Sequence, residues 1–446
     1  MKFKPYPKYK DSGIQWIGKI PEGWEVHRLK FLLSSLESGS REIGGGSQLD
    51  EGVFSLGGEH INWDGTLNLE NPKLISEDYY NSMNQGKLKI NDVLLVKDGA
   101  TIGKTAILKE MKYEKMAVNE HVFLMRANKR IKPKLLYYLI SSDSGFKQIK
   151  LTETGSAQGG INQDFKGLVL FTIPPNVKEQ DSLISFLDKK TARIDSLIEK
   201  DKKLIALLKE KRTALINHVV TKGLDPNVKL KDSGIQWIGK IPEGWEVRKV
   251  SRSFDFIGSG TTPKTQEDIY YDKGDIPWVI TGDLNDGLLK ETSKRISKEA
   301  VRDYSTLKIY PKNSLIIAMY GATIGKTALL DIEACTNQAC CVLAKSKIFE
   351  TKYVFYWFIA NKNNIISYSY GGGQPNISQD VIKTLKIPFP PKQEQHQIVE
   401  YLDKATSKID KTIKLIEKKI TLLEEYKKSL IHYVVTGKVD VRGVEA

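Results

Sequence analysis

The run Gly99-Ala-Thr-Ile-Gly103-Lys104-Thr105 ends in the Gly-Lys-Thr triplet with which many nucleotide-binding loops hold phosphate. The same seven residues return at Gly321–Thr327. A phosphate-binding loop places four residues between its first glycine and Gly-Lys-Thr, so that successive amides wrap the phosphates. Here Ala100, Thr101 and Ile102 alone intervene, and the second copy repeats that spacing. The flanks differ too. A buried strand and a long helix should frame such a loop, whereas Ala-Ile-Leu after Thr105 and Ala-Leu-Leu-Asp-Ile after Thr327 read as strand. The pattern fits a strand–turn–strand hairpin with a basic tip. Glycines at 99, 103, 321 and 325 would let it turn tightly and bring its backbone close to a partner.

The balance of charge says what such a tip could meet. The 446 residues carry 68 Lys and Arg against 54 Asp and Glu, a formal net charge of +14, with a pI near 9.2. An excess of that size makes a polyanion the leading partner, although a basic protein need not bind nucleic acid. Lys104 and Lys326 can offer charge to phosphate or a donor to guanine. The alternative is a structural turn whose lysine is merely solvated. Two later glycine-rich runs, Gly155-Ser-Ala-Gln-Gly-Gly-Ile-Asn-Gln-Asp164 and Gly371-Gly-Gly-Gln-Pro-Asn-Ile-Ser-Gln-Asp380, invite the same question. Glutamine can read adenine through both edge groups. Asn162 and Ser378 could open helices that hold phosphate, or could be simple caps with Asp164 and Asp380 complementing the helix dipole. The candidate nucleic-acid contacts are therefore Lys97, Thr101, Lys104, Gln158 and Gln163 in the first half, and Thr323, Lys326, Gln374 and Gln379 in the second.

Catalytic chemistries find less support. An amino-methyltransferase needs an Asn/Asp-Pro-Pro-aromatic tetrad, but the proline pairs here read Ile173-Pro-Pro-Asn176 and Phe389-Pro-Pro-Lys392. Phe256-Ile-Gly-Ser-Gly260 imitates a cofactor-binding Phe-x-Gly-x-Gly, yet it has no counterpart in the first half and reads as a turn. Asp98, Glu110 and Lys112 are loosely spaced like nuclease residues, but their counterparts are Tyr320, Ile332 and Ala334. Cys335, Cys340 and Cys341 lack the spacing of a zinc site or a disulfide framework and read as buried thiols in a reducing cytoplasm. No metal is expected. Met1-Lys-Phe-Lys-Pro has no apolar run of a signal peptide, and no apolar stretch is long enough for a bilayer.

The elements that must position these residues are written twice. Lys10–Val26 and Lys231–Val247 are identical, "KDSGIQWIGKIPEGWEV". Each copy continues into a hairpin tip, a glycine-rich run, a proline pair, Glu-Gln and a long helical pattern, and closes on Val-Val-Thr. Trp16, Trp24, Trp237 and Trp245 could stack on bases, but Pro-Glu-Gly-Trp fits better as a turn pinning the lead against a helix end or core. In the first helix Leu187, Ile194, Ile198, Ile205, Leu208, Leu215 and Val219 form an apolar seam. In the second, Leu402, Ile409, Ile413, Ile420, Leu423, Leu430 and Val434 do the same, and each seam is the obvious partner of the other. About forty helical residues reach roughly 60 Å. Between the shared motifs the two globular parts diverge, which suggests one scaffold with two recognition surfaces.

This order of motifs, twice over and across nearly the whole chain, resembles the specificity subunit of type I restriction-modification enzymes. The resemblance rests on the "IQWIGKIPEGWEV" leads, the "GATIGKT" tips, the "Q-x-x-I-x-Q-D" runs and the "IPP…EQ" and "PPKQEQ" helix starts. It implies two target recognition domains, each reading half of a bipartite duplex DNA site. It also implies helices paired antiparallel as a coiled-coil spacer, related by a pseudo-two-fold, that dock two modification (methyltransferase) subunits. Catalysis would belong to partners: S-adenosylmethionine to the modification subunits, ATP and Mg2+ to restriction/translocase subunits. No cofactor would reside in this chain. The expected fold class is α+β, with a lead at 1–25, recognition domains at 26–176 and 247–391, and spacer helices at 177–222 and 392–437. A repeated lead occupies 223–246 and a tail 438–446. The expected role is a non-catalytic, cytoplasmic DNA-specificity subunit with no membrane partner. The rivals are an ATP-dependent enzyme using both Gly-Lys-Thr loops and a coiled-coil scaffold that binds protein.

Overall fold

The computed structural model describes residues 4–15, 17–42, 49–155, 159–272, 274–369 and 376–444. Two compact units emerge, Met1–Asp201 with Lys418–Ala446, and Lys202–Glu417. Two helices dwarf all others, Val177–Lys222 and Lys392–Val435, and each is divided between the units. Their ends follow from local chemistry. The first helix begins at a proline pair, with the Asn176 side chain accepting from the Lys178 amide at 2.9 Å. Gly223 and Gly437, at φ +77° and +70°, stop the two helices in the left-handed conformation that a side chain would resist.

In the first unit a four-stranded antiparallel sheet runs in the order Leu33–Ser38, Val122–Ala127, Val93–Val96, Thr105–Ile107. The strand Val93–Val96 is apolar on both faces because both are covered. Val93 and Leu95 join the core shared with helix Pro133–Ser141, while Leu94 and Val96 enter a second core with Phe54 and Met116. A three-stranded sheet, Leu74–Ile75, Val53–Leu56 and Met116–Val118, closes the far side. In the second unit the corresponding sheet has five strands: Phe256–Ser259, Cys340–Ala344, Leu315–Ala318, Thr327–Leu330 and Gly287–Leu289. Leu315 and Ile317 again face one core and Ile316 and Ala318 another.

Two local expectations change. The stretch Phe256–Ser259 is an edge strand rather than a turn, paired with Cys341–Ala344. The following Gly260 is required because a Cβ there would lie 1.7 Å from the Thr336 carbonyl oxygen. The cysteines, which the sequence places in one strand-like segment, occupy two strands, Cys335–Thr336 and Cys340–Ala344. All three are free and buried, and burial pushes the Cys335 and Cys341 thiols up to about 12. Among the described residues no cluster of His, Cys, Asp and Glu is arranged to hold a metal, and no helix is long and apolar enough to cross a membrane.

The leads dock on the long helices through the glutamate of the Glu-Gln pair. Trp24 is buried, and its Nε1–H donates to Glu179 Oε1 at 3.0 Å, which also accepts from the Tyr6 hydroxyl at 2.9 Å. The next residue turns to the globular part of the unit: Gln180 accepts from the Lys132 amide and donates to the carbonyls of Arg130 and Pro174. In the second unit Trp245 donates to Glu394 at 2.9 Å, and Gln395 bonds Glu350, Ile348 and Pro390 in the same pattern. Farther along each helix Asp188 receives Tyr138 and Lys134, as Asp403 receives Tyr356 and Lys352. The expectation that the second lead tryptophan packs rather than stacks on bases therefore holds at Trp24 and Trp245. Trp237 packs on Trp357, with ring centroids 5.6 Å apart, and Trp16 lies outside the described residues.

Glu179→Ala should leave two donors without their acceptor and lower the stability of the first unit by about 1–3 kcal/mol. Glu179→Gln, which keeps an acceptor oxygen, should lose less. Exposed Lys178→Ala should move it by under about 0.5 kcal/mol. Urea unfolding followed by tryptophan fluorescence checks the order, and equal midpoints for Glu179→Ala and Lys178→Ala would contradict it.

Candidate DNA interface

Both Gly-Lys-Thr loops are hairpin tips. Strands Val93–Val96 and Thr105–Ile107 are antiparallel neighbours, as are Leu315–Ala318 and Thr327–Leu330. A strand, not a helix, follows each threonine, so the tips do not form phosphate-binding loops. Thr105 and Thr327 are themselves buried, Thr105 donating to the Gly103 carbonyl and Thr327 to Asp286. Gly99, Gly103, Gly321 and Gly325 all have φ between +68° and +94°, as a tight turn demands. The close approach expected at these glycines is made within the chain itself. A Cβ on Gly103 would lie 2.4 Å from the Phe146 ring, and one on Gly325 would lie 3.1 Å from Lys362, whereas Gly99 and Gly321 face open space.

Each tip is tied to the glycine-rich run that follows far along the chain. The Ile161 amide donates to the Lys97 carbonyl at 2.7 Å, and the Ile377 amide to the Met319 carbonyl at 2.9 Å. Isolated bridges add Asp98 to Gly160 and Tyr320 to Asn376. Ile161 and Ile377 are buried, which explains the isoleucine that both runs share. This juxtaposition was missed in the sequence, although the fixed isoleucine beside polar neighbours was its signal.

The candidate contacts separate on this frame. Lys104 is half-buried, with Nζ 5.9 Å from the centroid of the Trp63 ring, and Lys97 Nζ lies 5.1 Å from that of Phe123. Lys326 is also half-buried at its tip. Thr101 is half-buried, and the Thr323 hydroxyl lies 3.4 Å from the Tyr320 carbonyl oxygen. Gln163 is exposed. Gln379 is not available as a free reader, because its amide donates to the Ile257 carbonyl at 2.9 Å. Ile257 lies on an edge strand, whose outward carbonyls need a donor from elsewhere. Gln158 and Gln374 lie outside the described residues. Ser378 caps its helix by accepting from the Val381 amide, whereas Asn162 closes a turn onto the Asp164 amide just before the short helix Phe165–Leu168. Asp98 pairs with His121 at 2.7 Å, while Lys112 bonds the Leu69 carbonyl. Two of the three nuclease-like residues are thus engaged with different partners. His121 and Trp63 are neighbours of the tip that its motif did not announce.

Residues 21–207 and 242–425 match the family described as type I restriction modification DNA specificity domain. The specificity subunit of the type I restriction enzyme MjaVIII from Methanocaldococcus jannaschii is 26% identical over 440 residues, 96% of this chain and 95% of that one. The putative MjaX specificity subunit from the same organism is 25% identical over 96% of both chains. A chain from a solved type I R-M complex has a TM-score of 0.74 at 16% identity, covering 94% of this chain and 99% of its own length. The HsdS subunit of Thermoanaerobacter tengcongensis gives 0.55 at 16% identity over 94% and 98%. The paired matches coincide with the two tip-bearing repeats and most of their long helices, and the chain belongs to the type I restriction-modification DNA specificity family.

Proposed function

We propose that the chain is the non-catalytic specificity subunit that reads an asymmetric bipartite site in duplex DNA, one recognition domain per half. The observation that carries this reading is the duplicated frame of tip and glycine-rich run, joined by the same backbone bonds in both units but lined by different side chains. An identical frame with dissimilar surroundings suits two modules that meet the same polymer at different sequences. Lys104 and Lys326 are the leading phosphate contacts. The rival ATP-dependent enzyme loses its support with the hairpin geometry of both loops.

The long helices serve in this reading as an antiparallel coiled-coil ruler. In support, all fourteen seam residues from Leu187 to Val219 and from Leu402 to Val434 are buried or half-buried. Within the first unit Lys427 pairs with Asp195 and Lys419 with Asp201; within the second, Arg212 pairs with Asp410. The ascending numbers on one helix against descending numbers on the other fit an antiparallel register. Leu204, Leu207, Leu415 and Leu422 remain exposed on the same helices and suit docking of two modification subunits, with restriction/translocase subunits joining them. S-adenosylmethionine, ATP and Mg2+ would serve those partners, and the assembly would work in the cytoplasm.

Exchanging residues 26–176 for the equivalent domain of another family member should alter one half of the methylated motif and leave the other intact. Methylome mapping reads this directly, and a change in both halves would refute independent reading. Lys104→Ala and Lys326→Ala should each weaken DNA binding and shallow its salt dependence, the slope falling by about one per lost phosphate contact. Unchanged affinity and slope would make the tips structural. Inserting four residues into both helices, beside Arg212 and beside Asp410, adds roughly 6 Å at about 1.5 Å per residue. With DNA rising about 3.4 Å per base pair, the gap between half-sites should lengthen by about one or two pairs. An active variant that keeps the parental gap would remove the ruler.

A further inference from the structure

Trp63 is 62% exposed, in contrast to the buried Trp24 of the same unit. The turn that carries it, residues 62–66, is closed by the Asn62 amide to the Thr66 carbonyl at 3.0 Å and the Gly65 amide to the Asn62 carbonyl at 3.1 Å. The Asp64 carboxylate is drawn back onto the Thr66 amide and hydroxyl, at 2.9 and 2.6 Å. Burial pushes that carboxyl up, but the Thr66 bonds outweigh it and hold it below the usual carboxylate range. Gly65, at φ +83°, leans so closely on the fold that a Cβ would lie 2.1 Å from the Tyr137 hydroxyl oxygen. The turn is therefore anchored, and its indole is nonetheless left in solvent.

Phe146 links this indole to the tip. Its ring meets Trp63 edge-on at 6.1 Å, and the same ring is what a side chain at Gly103 would strike. Lys104 Nζ stands 5.9 Å from the Trp63 ring centroid. Trp63, Phe146 and Lys104 thus form one supported surface, with a cation beside a flat apolar face. Large rigid aromatics left exposed beside cations are contact groups rather than packing groups. The adjacent ammonium and the chain's +14 charge favour a polyanion over a protein face. Duplex DNA offers phosphate for the lysine and thymine methyl groups and apolar base edges for the indole.

The second unit provides an internal comparison. After its short helix Thr281–Asp283, the matching turn reads Asn285-Asp286-Gly287. Asp286, at φ +57°, accepts from the Thr327 amide at 2.8 Å and lies 3.5 Å from Lys362 Nζ. A buttoned carboxylate stands where the first unit presents an indole.

We propose that Trp63 is a specificity-determining DNA contact of the first recognition domain, its indole lying on base edges of that half-site while Lys104 holds the neighbouring phosphate. This rests on the DNA-reading function proposed above. The test uses the full chain assembled with its modification subunits, as parent, Trp63→Ala and Trp63→Phe. Trp63→Ala should weaken binding to the parental site about tenfold while changing affinity for unrelated duplex by under about twofold. Its methylome should show relaxed selection in the half assigned to residues 26–176 and an unchanged second half, with Trp63→Phe intermediate. Unchanged affinity and motif would overturn the assignment, as would equal loss on unrelated duplex or relaxation of the second half. Impaired assembly with normal DNA affinity in the assembled fraction would also overturn it, making Trp63 a protein contact. A parent complex that methylates no split motif would remove the proposed function and this contact together, a result visible without any change at Trp63.

Discussion

The carboxylate in the first turn of each long helix is the constraint from which the remaining architecture follows. Glu179 and Glu394 accept the indole N–H of a buried lead tryptophan, a donor that would be costly to bury unpaired. Their position near a helix N-terminus also suits a negative charge. Glutamine follows directly, and adjacent residues on a helix point about 100° apart. One step of backbone therefore grips two different elements, the lead with glutamate and the recognition domain with glutamine. Asp188 and Asp403 add a second grip beyond, so helix and recognition domain are held at two places.

On that support, each unit builds a frame whose constant parts are backbone bonds. The residue after the tip's first strand, Lys97 or Met319, lends its carbonyl to the amide of a buried isoleucine in the glycine-rich run. Bonds of this kind tolerate changes in the side chains around them. That is how one frame can carry Asp98 with His121 in the first unit and Tyr320 in the second. It can likewise present Trp63 on Phe146 in one unit and Asp286 against Lys362 in the other. Recognition can diverge while the frame stays, because the frame does not depend on the diverging side chains.

Repetition and periodicity were legible in the bare sequence because both are internal comparisons. The two identical leads, the paired Gly-Lys-Thr tips, the seams from Leu187 and Leu402 and the strand character after Thr105 and Thr327 need no knowledge of distant contacts. Comparing the two copies also spoke against the cofactor-loop and nuclease imitations, since neither recurs. Folding alone could show that Gln379 serves the Ile257 carbonyl across 122 residues while Gln163 stays exposed, although both hold the same place in one motif. Folding likewise made Phe256–Ser259 an edge strand, turned Gly103 toward Phe146 and left Trp63 uncovered. The reason is physical. Local pattern is set by φ/ψ preference and solvent-facing period, which neighbours in sequence share, but a side chain's partner is chosen by whichever distant groups the packed sheet and helices bring beside it.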